Sequence, residues 1–227
     1  MLQDAVFNLQ SVLPLPLQLD SSNTQALEKA MRMYNGKAMI NSVNGKQSSM
    51  NEVFPLVQKY GGVVVCLCLD ENGIPETAKG RIAIAEKIIK TAESYGIDKK
   101  DLVVDALVMT ISTNKDNAKE TLKAVEYIRH ELGVGTVLGV SNISFGLPKR
   151  EAINTAFFTL ALKAGLSAGI INPLSESMMN AYYSYNALEG FDDNCTEYIE
   201  SVTQSANNNA SSGVTAVSYT HLTLPTT

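Results

Sequence analysis

Six times along this sequence an apolar run ends on Asp or Asn, an amphipathic stretch follows, and a glycine closes it. The runs are LPLQLD (15–20), AMIN (38–41), VVVCLCLD (63–70), LVVD (102–105), TVLGVSN (136–142) and AGIIN (168–172). Their last residues, Asp20, Asn41, Asp70, Asp105, Asn142 and Asn172, stand 21, 29, 35, 37 and 30 positions apart. Those gaps suit a helix that carries the chain back to start a parallel neighbour, so the repeat predicts βα units.

The amphipathic stretches agree. Ala118, Leu122, Val125, Ile128 and Leu132 recur at three- and four-residue spacing, which is one face of a helix. Gly96, Gly133 and Gly165 supply C-terminal stops, and Gly36, Gly61 and Gly190 close the other stretches. Pro148 falls near the first turn of a helix. Pro55 lies within the helix 48–60, which is expected to kink there or to start late.

Six βα units can build a doubly wound sheet or most of a (β/α)8 barrel, because both bury parallel strands on both faces. The loops DSSNT, NSVNG and DENGIP contain neither G-x-G-x-x-G nor G-x-x-x-x-G-K, which weakens the nucleotide-binding doubly wound option. Polar residues at all six strand ends favour a barrel of the TIM type, whose C-terminal rim carries the site. Residues 2–13 read as the end of a helix with no strand before it. The barrel is therefore expected to lack its first two strands and to span residues 1–190. A polar C-terminal segment or linker is expected over 191–212. A disordered tail is expected over 213–227, where AVSYTHLTLPTT resembles translated read-through of non-native sequence.

Charge and composition exclude several classes of function. A formal charge of −5 argues against a nucleic-acid partner held by net charge. No apolar run reaches the roughly 18 residues of a membrane span. Residues 1–19 carry Asp4 and no basic leader, so no secretory signal is expected and the location reads as cytoplasmic. Cys66 and Cys68 fall on one face of a strand and are expected to be small core hydrophobes. With two histidines in the chain, no metal site built from it is expected.

Each strand-end residue also has an ordinary explanation. Asp20 before SSNT is a good helix cap, Asn41-Ser42 suits an Asx turn, and DENG at 70–73 is a common turn sequence. Six on one rim are harder to dismiss, but composition alone leads only to a barrel with a polar mouth.

The segments LPLQLDSSN, MINSVNG, VVDALVM and GVSNISFGLPKREAINTAF, followed by AGLSAGIINP, carry the reading further. They resemble the methyltetrahydrofolate-binding domain of cobalamin-dependent methionine synthase, one of the pterin-binding barrels that include corrinoid protein methyltransferases and dihydropteroate synthase. The resemblance runs over residues 2–190 in consistent order, and it aligns the six strands with the third to eighth of the barrel. It implies that Asp20, Asn41 and Asp105 line a pterin pocket, with Ser42, Ser144 and Asp70 as supporting contacts. It implies that Asn142 is the catalytic residue, reaching N5 of the folate. Arg150 is expected to pair with a neighbouring glutamate, the folate's carboxylates being its other option.

The resemblance implies methyl transfer from 5-methyltetrahydrofolate to cob(I)alamin, as part of homocysteine methylation in methionine biosynthesis. Cobalamin would be bound by another domain or by a separate corrinoid protein, and zinc would belong only to a missing homocysteine domain. The segment alone is expected to be inactive. The nearest alternative is a methyltetrahydrofolate:corrinoid iron–sulfur protein methyltransferase, and a further one is a non-catalytic folate-binding fragment. Dihydropteroate synthase would be expected to show a basic S-R-K-type segment after the seventh strand, where this chain has Ser141-Asn142-Ile143-Ser144.

Overall fold

The computed structural model describes residues 1–210. Residues 1–172 form one compact unit and the chain from Pro173 a second. The first opens with α1 (Leu2–Val12), then alternates β1 (Gln18–Asp20), α2 (Thr24–Met33), β2 (Met39–Asn44), α3 (Gln47–Tyr60), β3 (Val63–Leu67) and α4 (Ala78–Ser94). It continues with β4 (Leu102–Asp105), α5 (Asn117–His130), β5 (Gly135–Gly139), α6 (Arg150–Lys163) and β6 (Ala168–Ile170).

All six strands pair in parallel, and their order in the sheet is their order in the sequence. A doubly wound sheet reverses its strand order at a switch point, whereas a barrel adds strands one after another. The molecule is therefore six βα units of a TIM-type barrel, a curled half-barrel with alternating helices. Ile40, Val64, Val104 and Leu138, on four successive strands, are fully buried, and so are Phe54, Ile88, Ile128 and Ala161 on the covering helices. Cys66 and Cys68 are buried in this core as free thiols.

Four strand-end expectations need correcting. Asn41 lies inside β2, which runs on to Asn44. Asp70, Asn142 and Asn172 lie beyond their strands, because the ladder ends first: β3 loses its β4 partner after Leu67, and β5 and β6 stop pairing at Gly139 and Ile170. A short 3-10 turn, Val140–Ser144, then carries Asn142.

The helix containing Pro55 does not start late. It begins at Gln47 and runs through the proline to Tyr60. The ring forfeits one backbone bond, and burial of Met50, Val53, Phe54 and Val57 offsets that loss. The buried face of α5 is also rotated from the one the apolar spacing marks: Asn117, Thr121, Ala124, Val125 and Ile128 are buried, and Ala118 and Leu122 are only half-buried. Gly165, at φ +97°, closes α6 where a Cβ would lie 2.8 Å from Arg129 Cγ, so a side chain is excluded there.

In the second unit, α7 spans Glu176–Leu188 and α8 spans Thr196–Ala210. Most of the polar stretch 191–212 is thus helical. Its start is fixed by Asp192, whose carboxylate accepts from Glu197 N and Tyr198 N at 3.0 Å each, satisfying two free N–H groups of the first turn. The tail expected over 213–227 lies outside the described residues. Among the described residues no helix is long and apolar enough to cross a membrane.

The assigned core face is testable. Ile128→Ala should cost about 2–5 kcal/mol. Tyr127→Ala, on the outward side of the same helix, should cost under about 1 kcal/mol. Equal losses in urea denaturation would overturn the assignment.

Candidate functional site

Two polar side chains meet where β1 ends beside β2. Asn41 Nδ2 donates to Asp20 Oδ2 at 3.3 Å, and Ser21 N donates to Asn41 O at 3.1 Å. Asn41 reaches this position because β2 continues past it, pairing Asn41 with Asp20 on one side and Val65 on the other. The Asn41–Ser42 peptide is cis, and the register with β3 shifts by one residue between Asn41 and Val43. Asp20, Asn41 and Ser42 line a cleft of ≈ 340 Å³ together with Ser21, Asn44 and Lys46. That volume lies at the lower end of small-molecule sites, about 300–1,000 Å³.

The donor set suits a heterocycle edge. An ionised Asp20 accepts two adjacent N–H donors in a fork, and the Asn41 amide both donates and accepts. A pterin's 2-amino-4-oxo edge presents that mixture, so the residues present fit the group.

Asp105 ends β4, three strands along the sheet from Asp20, and does not line that cleft. It is only 8% exposed. One oxygen accepts from Leu107 N at 2.8 Å, and Leu107 has a left-handed φ of 61°. Burial pushes the carboxyl up from 3.8 to about 6, against the Leu107 N–H and the Arg81 charge, which both favour the ionised form. Asp70 lies in a turn closed by mutual backbone bonds with Gly73 at 3.1 Å, and its Oδ1 takes Asn72 N at 2.8 Å. That carboxylate is engaged within its own loop.

The turn after β5 is braced from two sides. Ser144 is fully buried; its Oγ donates to Asn154 Oδ1 at 2.7 Å and accepts from Arg150 Nε at 3.0 Å. Ser144 therefore holds the turn together from below. Arg150 Nη2 also donates to Ser141 O at 2.7 Å, and the guanidinium lies over the Phe145 ring at 5.9 Å. Arg150 thus serves this turn and not a neighbouring glutamate, because α6 starts directly under it. From the other side Ile111 N donates to Ile143 O at 3.0 Å, and the Thr110 and Ser112 hydroxyls donate to Phe145 O at 2.7 and 3.1 Å. Asn142 is exposed on this clamped turn, and its side-chain amide has no hydrogen-bond partner among the described residues.

Sequence reasoning missed Thr110, Ser112 and Asn154, since nothing in their spacing links them to residues 141–145. Among the described residues no group of three His, Cys, Asp or Glu side chains comes together as a metal set.

The chain is similar to several known proteins. A family model described as pterin binding enzyme matches residues 2–172. Methionine synthase of Mycobacterium tuberculosis is 34% identical over 179 residues, covering 73% of this chain and 15% of that protein. Methylcorrinoid:tetrahydrofolate methyltransferase of Eubacterium limosum is 27% identical over 201 residues, covering 86% of this chain and 73% of that protein. The chain thus spans about 15% of the length of the methionine synthases it matches. Among solved structures, dihydropteroate synthase of Yersinia pestis superposes with a TM-score of 0.66 at 16% identity, covering 83% of this chain and 78% of that one. At that identity the likeness concerns the fold alone.

The raised Asp105 carboxyl has a signed consequence for stability. At pH 8 Asp105 is ionised folded and unfolded, and a rise from 3.8 to about 6 makes the folded form costlier by on the order of 3 kcal/mol. Below the unfolded value that cost is absent. Asp105→Asn should therefore melt higher than wild type at pH 8, with the gap closing as pH falls from about 6 to 4. Thermal unfolding of both across pH 4–8 checks this, and a gap independent of pH would contradict it.

Proposed function

From the premise that the chain belongs to the pterin-binding enzyme family, we propose that it is the folate domain of a cobalamin-dependent methionine synthase. In this reading it handles methyl transfer between 5-methyltetrahydrofolate and a corrinoid. The observation that carries the proposal is the turn after β5, where Asn142 presents an unpaired amide on backbone fixed by Arg150, Ser144 and Thr110.

Asp20 and Asn41 hold the pterin from the cleft they share with Ser42, and Asp105 meets it separately from the end of β4. Asp105 acts as a charged acceptor, so binding needs its ionised form. A corrinoid carried by another domain or protein supplies the acceptor for the methyl group. When the N5–methyl bond breaks, its electron pair stays on N5, which is a poor leaving group until it gains a proton or strong hydrogen bonding. Asn142 keeps its own protons and donates a hydrogen bond to N5 as that charge develops, while the proton that N5 gains comes from solvent. A donor fixed in advance costs no reorganisation at that moment, which is why it lowers the barrier more than it tightens binding. The open setting of Asn142 and Phe145, both exposed, leaves that side accessible to a corrinoid carrier.

A second reading follows from coverage. The match to the E. limosum methyltransferase takes in 73% of that protein, which favours a stand-alone enzyme working with a separate corrinoid protein. Homocysteine and cobalamin domains flanking this region in the full-length protein would select methionine synthase, and their absence would select the stand-alone enzyme.

The role of Asn142 is tested in the full-length protein by calorimetry with 5-methyltetrahydrofolate and by following methyl transfer to cob(I)alamin. Asn142→Ala should bind folate nearly as wild type does and transfer methyl on the order of a hundredfold more slowly or worse, the loss of about 3–4 kcal/mol typical of one such donor. If wild type binds no folate, the rim residues revert to caps and turns.

A further inference from the structure

The most completely buried charge in the sheet unit lies outside the residues discussed so far. Arg81, in the first turn of α4, has no exposed surface, yet among the described residues no carboxylate forms a salt bridge with it. Its Nε donates to Pro75 O at 2.9 Å, and its Nη1 donates to Leu107 O at 3.0 Å and to Thr121 Oγ1 at 2.7 Å. Nη2 is buried with no partner among the described residues. Thr121 passes its own proton back to Asn117 O at 2.8 Å, which fixes the hydroxyl as an acceptor for the guanidinium.

A lone buried cation is costly, and packing alone does not call for one. Its contacts converge on one feature. Leu107, whose carbonyl Arg81 holds, is the residue whose N–H grips Asp105, and its left-handed φ sets the direction of that carbonyl relative to the N–H. Arg81 thus grips one end of a two-residue turn and Asp105 the other. We propose that Arg81 is the positioning residue of Asp105, holding by its charge and through Leu107 the carboxylate that reads the pterin edge. The proposal rests on the pterin reading of Asp105 given above.

The electrostatics point the same way. Burial raises the Asp105 carboxyl and the Arg81 charge opposes that rise, while burial lowers Arg81 and Asp105 is among the groups that support its charge. The other titratable groups facing the pair are Cys68 beyond β3 and Glu120 on α5. Burial raises the Cys68 thiol, so it stays neutral through the physiological range. Glu120 is committed to Ala78 N at 2.8 Å and to Lys123 at 2.7 Å. Neither replaces Arg81 as the charge that serves Asp105.

The test reads Asp105 without folate. In the full-length protein labelled with ¹³C at aspartate carboxyls, Asp105 is assigned by its loss in Asp105→Asn and titrated in wild type, Arg81→Lys and Arg81→Met. Wild type should titrate near pH 6. Arg81→Met should move the midpoint up by about one unit or more and weaken 5-methyltetrahydrofolate at pH 7 by at least about twofold, through the smaller ionised fraction of Asp105. Arg81→Lys, which keeps the charge, should recover most of the midpoint. Should Arg81→Met fail to fold, the wild-type Arg81 ¹⁵Nε resonance answers the same question, since it should shift with the midpoint of Asp105. An unchanged Asp105 midpoint in folded Arg81→Met, or an Arg81 resonance blind to the Asp105 titration, overturns the proposal. Normal coupling of the pair in a protein that binds no folate overturns the pterin reading instead and leaves the positioning of Asp105 by Arg81 standing.

Discussion

Parallel pairing is the constraint from which the rest of this molecule follows. Six strands that all run one way bring all their C-terminal ends to one rim, and helices packed along the sheet bury most of β3, β4 and β5. A polar side chain placed midway along such a strand would lose its water without gaining a partner, at a cost of a few kcal/mol. Asp20 escapes that cost because it stands exposed at a strand end, whereas Asp105, also at a strand end, is buried and bears it. Asn41 lies inside β2 but beside the end of β1, where the Asp20 carboxylate accepts from its amide. Chemistry collects at the rim because the rim is where polar atoms find water or each other.

The same constraint explains what the sequence could reveal. Strands that must be apolar throughout, and helices that must show one apolar face, leave a repeat that survives without any structure, and the six βα units were legible from it. The sheet order was not, since barrel and doubly wound folds bury their strands alike, and only the monotone pairing from β1 to β6 separates them. Individual residues were misjudged where a polar side chain behaves as core. Asn117 and Thr121 are buried through hydrogen bonds to Thr110 O and Asn117 O, so a face marked by apolar residues alone is rotated from the true one. Arg81 is invisible to periodicity for the same reason: its partners lie 6, 26 and 40 positions away, two of them backbone carbonyls.

The rim residues differ in how far the fold engages them. The sequence read Asn142 as catalytic, Ser144 as a supporting pterin contact and Arg150 as the partner of a neighbouring glutamate. In the fold, Ser144 is beneath the turn, Arg150 clamps it, and only Asn142 is left unengaged. This is how a side chain becomes pre-organised: its neighbours spend their hydrogen bonds on the backbone that carries it. Asp70 lies beyond its strand, and one of its carboxylate oxygens serves its own turn by accepting from Asn72 N.

Asp105 and Arg81 show why such a site is held at some expense of stability. An exposed carboxylate would need no guanidinium, but water would compete with a ligand for it and weaken the fork it offers. Burying Asp105 removes that competition and strengthens each hydrogen bond it can make, while driving its carboxyl toward the neutral form that accepts poorly. A buried cation reverses part of that drive, and it does so without blocking the carboxylate because Arg81 bonds to Leu107 O and not to Asp105 itself. A direct salt bridge would occupy the oxygens that a pterin edge requires. Charge delivered through an intervening turn favours the ionised form of Asp105 while only one of its oxygens is taken, by Leu107 N, which is the combination that a binding carboxylate needs.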